Sequence, residues 1–70
     1  MEVIQMINYY AFYYNGELKR IAKIEDNAIA YGFDGANWVE MPNLLKIVNE
    51  DTDYQPITEA EANKLIKETY

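Results

Sequence analysis

The sequence predicts an α+β fold, a small antiparallel β-meander of four to five strands with one C-terminal α-helix packed on one face. Three observations carry that expectation. Asn15-Gly16 lies between two apolar-rich runs and is the strongest short-range hairpin signal, because a type I′ turn needs positive φ at both central residues. Asp26-Asn27 and Asp34-Gly35 have similar turn chemistry and divide the following residues into further strands. Thr58, followed three residues later by Glu61, is a capping box ahead of a helical apolar pattern.

Taken in order, the first three strands fall at about residues 8 to 14, 17 to 25 and 28 to 33. A fourth is expected near Asn37 to Met41, interrupted by Pro42, which has no amide to donate to a ladder. Leu44 to Val48, "LLKIV", reads as a short strand or a single turn, being too short for periodicity to decide. Ala62, Leu65, Ile66 and Thr69 follow the i, i+3, i+4, i+7 spacing of an amphipathic helix. Residues 2 to 7 either extend the first strand or form an additional edge.

A two-residue turn fixes register, so Tyr14 opposes Glu17 and Tyr13 opposes Leu18. With two-residue loops throughout, one face carries Tyr9, Ala11, Tyr13, Leu18, Ala22, Ile24, Ile29, Tyr31 and Phe33, with Arg20 as its misfit. That face is the expected core. The opposite face collects Tyr10, Phe12, Tyr14, Lys19, Ile21 and Lys23, over the small residues Ala28, Ala30 and Gly32. An aromatic patch of this kind resembles the centre of a protein interface. The bland alternative is ordinary strand packing covered by residues 1 to 7 or 44 to 48.

Composition bounds the rest. Seventy residues make a single domain, 1–70, whose folding removes only roughly 60 % of the unfolded chain's surface from water. There is no cysteine, so no disulfide framework is available, and a cytoplasmic setting is expected. The start "MEVIQMI" carries Glu2 where an export signal needs positive charge, and no apolar run is long enough to span a bilayer. Half the residues are hydrophobic and the net charge is −6, a combination that fits a folded acidic domain rather than a disordered chain. Size and composition suit a small bacterial or phage accessory protein. No motif carries a family resemblance.

The chain has no His, Cys or Ser, which removes histidine bases, Ser-His and Cys-His nucleophiles and nearly all zinc sites. No Gly-rich phosphate loop is present. Neither catalysis nor a cofactor is expected. Asp51 and Asp53 have the spacing of the first EF-hand ligands, but the required glycine position is Pro56 and the final glutamate position is Ala62. The acidic run reads instead as a solvated loop leading to the helix cap.

The preferred function is therefore a non-catalytic binding or regulatory module acting on a protein partner, or as a homodimer, through Tyr10, Phe12, Tyr14, Lys19, Ile21 and Lys23. The alternative uses the acidic patch of Glu50, Asp51, Asp53, Glu59 and Glu61, imitating nucleic acid to block a nucleic-acid-binding protein. Direct binding of single strands by stacking on the aromatics is disfavoured, because twelve acidic residues face six basic ones and would repel phosphates.

Overall fold

The Asn15-Gly16 turn has φ of 53° and 78°, the positive pair that a type I′ turn requires, and Tyr14 faces Glu17 across it. In the computed structural model, residues 6–50 and 53–70 are described. Among them the order of elements is β1 (Ile7–Tyr14), β2 (Glu17–Glu25), β3 (Ile29–Phe33), β4 (Trp38–Glu40), α1 (Asn43–Glu50), β5 (Tyr54–Ile57) and α2 (Glu59–Thr69). The strands form one antiparallel sheet in the order β4-β3-β2-β1-β5. The first four are the expected meander. The fifth follows α1 and lies beside β1, so part of the acidic run that the sequence reads as a loop is a strand.

Two single-residue offsets set the phase of the sheet. Tyr13 faces Leu18 but Phe12 faces Arg20, so Lys19 is an extra residue on β2, a β-bulge. The connection between β2 and β3 holds three residues rather than two: Glu25 faces Ile29, and the Ala28 amide donates to the Glu25 carbonyl at 3.0 Å. Asp26 and Asn27 supply consecutive positive φ values of 52° and 56°, which Asp and Asn tolerate better than most residues. Each offset moves β2 by one residue relative to a neighbour, so the two cancel between β1 and β3. These strands keep their expected relative phase, while β2 is inverted from Arg20 onward.

One face of the sheet therefore carries Tyr10, Phe12, Arg20, Ala22, Ile24, Ala30 and Gly32, and the other carries Tyr9, Ala11, Ile21, Lys23, Tyr31 and Phe33. On the first, α1 completes a core of Ala22, Ile24, Ala30, Leu44, Val48 and Tyr54, with Tyr10, Phe12, Met41 and Leu45 packed against it. The segment 44 to 48 is thus a helix and not a strand. Leu44 and Val48, its buried residues, lie four apart, which places them on one helical face. Gly32 lets this layer approach closely, since a Cβ there would stand 2.7 Å from the Met41 sulfur.

The second face is covered in part by α2, whose capping box is complete: Glu61 N donates to Thr58 Oγ1 at 3.1 Å and Thr58 N to Glu61 Oε1 at 3.2 Å. Its Ala62 is fully buried, as are Ala11 and Ile21 on the sheet. The architecture is a sheet between two helices, one more than the sequence predicts.

Candidate functional site

The bulge disperses the six residues that the sequence groups into one contact face. Tyr10 and Phe12 lie beneath α1, and the Phe12 ring stacks on Tyr54 with centroids 4.8 Å apart. Ile21 and Lys23 project from the opposite face, and Ile21 is completely buried. Tyr14 is exposed at the hairpin tip, and Lys19 stands at the bulge with its ammonium 2.9 Å from Glu17. Coverage by residues 44 to 48, the bland reading, describes the surroundings of Tyr10 and Phe12. The correction follows from register, because one added residue turns every later side chain of a strand to the other face.

The acidic residues also separate. Glu50 ends α1, Asp53 is in the turn before β5, and Glu59 and Glu61 occupy the first turn of α2. There their charge complements the helix dipole. Asp51 lies outside the described residues. Among the described residues no group of three or more acids could hold a metal ion.

The structure does assemble an aromatic surface, on the face of α2 and around a residue the sequence did not single out, Trp38. This side chain follows a loop built by Asp34, whose carboxylate accepts from the Ala36 and Asn37 amides at 2.8 and 2.7 Å. These bonds hold the Asp34 carboxyl below its usual pKa, the Asn37 bond being the larger cause. Trp38 sits opposite Phe33 on β3. Its ring meets Phe33 edge-on at 5.2 Å and Tyr9 edge-on at 6.1 Å, and Phe33 in turn meets Tyr70 at 5.2 Å. Edge-to-face contacts at such separations are favourable beyond the area they bury.

Lys23 lies within this cluster. Its ammonium is 4.8 Å from the Trp38 ring centroid, 5.1 Å from that of Tyr31 and 3.8 Å from Glu25 Oε1. Both ring distances are within the range at which a cation is drawn to an aromatic face. The Lys23 side chain retains 17 % of its exposure and that of Glu25 21 %, while Tyr9, Tyr31, Phe33 and Trp38 are half-buried.

The electrostatic setting of these rings is acidic. Desolvation pushes the Tyr9 phenol above its ordinary pKa, helped by the charges of Glu59 and Glu25. Tyr31 is raised first by desolvation, then by the charge of Glu25, by the hydrogen bond its hydroxyl makes with that carboxylate, and by the charge of Glu40. Two aromatic faces, a caged ammonium and three surrounding glutamates make a surface suited to recognising cations and apolar groups. Exposed Ile29 borders it, one position along β3 face from Tyr31. Larger concavities lie elsewhere, one of about 530 Å³ beside the hairpin tip at Tyr13, Asn15 and Asp53 and one of about 270 Å³ between β5 and α2.

No protein-family model, curated protein or solved structure matches the chain. Among the described residues, no helix is long and apolar enough to cross a membrane.

Proposed function

We propose that the chain is a small acidic, non-catalytic binding module that contacts a protein partner, or a second copy of itself, through the aromatic surface of Tyr9, Ile29, Tyr31 and Trp38. The observation that carries this reading is the partly exposed aromatic cluster closed around Lys23. Tyr and Trp are enriched at the centres of interfaces, where a large apolar body and one polar group serve both the free and the bound state. Ile29, 42 % exposed, adds apolar area at the border. A composition without His, Cys or Ser supports a role without catalysis, and the lack of cysteine supports a cytoplasmic setting.

The reading as an acidic mimic of nucleic acid has weaker support. Glu61 is engaged in its helix cap, and Glu50 ends a helix that packs on the opposite sheet face from α2.

The test is capture of the partner from the native cell by immobilised wild-type chain and by the double variant Ile29→Ser, Tyr31→Ser. Both positions are at least partly exposed, so the variant should retain its circular dichroism spectrum and lose the captured protein, or lose self-association in sedimentation. Equal capture and equal sedimentation by the folded variant would refute the assignment.

A further inference from the structure

We propose that the place taken by the Lys23 ammonium over the Tyr31 and Trp38 rings is a receptor for a cationic side chain, arginine or lysine, presented by the partner, and that Lys23 occupies it in the free protein. This rests on the contact surface described above and specifies its chemistry.

Three features support it. First, the cage already holds a cation, with two aromatic faces and one carboxylate directed at the Lys23 ammonium. Second, the surroundings carry more negative charge than Lys23 neutralises, since Glu25, Glu40 and Glu59 all act on the two tyrosines that flank it. An incoming cation is therefore attracted, while an anion is repelled. Third, Lys23 is held in a replaceable way. Its ion pair with Glu25 is long, at 3.8 Å, and its flexible four-carbon stem lets the head move to water. A guanidinium is planar and more weakly hydrated than an ammonium, so it stacks on an aromatic face at lower desolvation cost. An arginine should compete well for the same place. Until it does, Lys23 keeps the acidic, aromatic site filled and lowers its apparent affinity for a second cation.

Trp38 is the sole tryptophan in the sequence, so intrinsic fluorescence reports the cage directly. The probe is N-acetyl-arginine amide, and N-acetyl-citrulline amide is its neutral isostere. Each is titrated at constant ionic strength into wild type, Lys23→Ala, and Lys23→Ala combined with Glu25→Gln. The proposal predicts saturable binding of the arginine probe to Lys23→Ala at least about ten-fold tighter than to wild type. It also predicts weakening by Glu25→Gln and no comparable response to citrulline. If Lys23→Ala fails to fold, Lys23→Met, which keeps an apolar stem without charge, carries the same comparison. Equal affinity in wild type and variant, equal response to citrulline, or no saturable response in the folded variant would each overturn the proposal. Continued dependence of partner capture on Tyr31 and Ile29 in that case would leave the contact surface standing and remove only its cation chemistry.

Discussion

Trp38 covers Lys23 although the two residues belong to strands separated by β3, with the ammonium 4.8 Å from the indole centroid. The ring spans that strand and also reaches Tyr9 on β1. A short strand at the edge thereby organises side chains from four strands, and a lysine that register aims at a sheet face gains aromatic and carboxylate partners there.

The bulge at Lys19 predicts an unusual tolerance. Deleting Lys19 leaves Leu18 opposite Tyr13 and Arg20 opposite Phe12, as they are now, so the later residues of β2 keep their faces. The variant should show an unchanged far-ultraviolet spectrum and a modest loss in melting temperature. Deleting Ala22 instead inverts Lys23 and Ile24 and should prevent folding. Equal damage from both deletions would argue against the bulge.

The layer under α1 predicts which aromatics are structural. Phe12→Ala and Leu44→Ala should each cost about 3 kcal/mol in urea denaturation, since both empty space in a packed core. Tyr14→Ser, at an exposed hairpin tip, should change stability by less than about 0.5 kcal/mol.

Thr58→Ala should cost about 1 kcal/mol, because the side chain satisfies the Glu61 amide and alanine has no acceptor to offer it. An unchanged denaturation midpoint would contradict the capping box.

The sequence makes β1, β3 and α2 legible for identifiable reasons. Asn15-Gly16 admits one turn, which fixes the register of β1 where its aromatics on both faces could not, and Thr58 and Glu61 mark one helix start. The phase of β2 was hidden because the offsets at Lys19 and at Ala28 each look like a regular strand residue, and together they leave β1 and β3 in the phase that an unbulged sheet would have. Helix α1 was hidden because Leu44 to Val48 spans little more than one turn, too short a run to separate helix from strand, although Leu44, Leu45, Ile47 and Val48 are spaced i, i+1, i+3, i+4 along one helical face. The strand β5 contains Pro56 and lies within the acidic run, both features of loops. Trp38 was missed because its role depends on the reach of its ring across β3, which strand alternation does not encode.

The phenols give a pH dependence. The folded pKa of Tyr9 and of Tyr31 is raised above the ordinary value of a tyrosine phenol, so their contribution to stability is complete below about pH 10 and is lost as pH rises through the folded values. Urea midpoints of wild type should fall between about pH 9 and about pH 11, and those of the Tyr9→Phe, Tyr31→Phe double variant should fall less. An equal fall would show that these two phenols do not carry the alkaline sensitivity.

The most direct test of the contact surface is the fluorine resonance of the chain labelled biosynthetically with 5-fluorotryptophan, which marks Trp38 alone. Spectra are compared for the free chain at low concentration, across increasing concentration, and with the captured partner. The account predicts a single resonance that shifts or broadens on association, as the partly exposed indole becomes enclosed. A resonance unchanged in a complex shown by sedimentation to have formed would place the interface elsewhere and contradict the account.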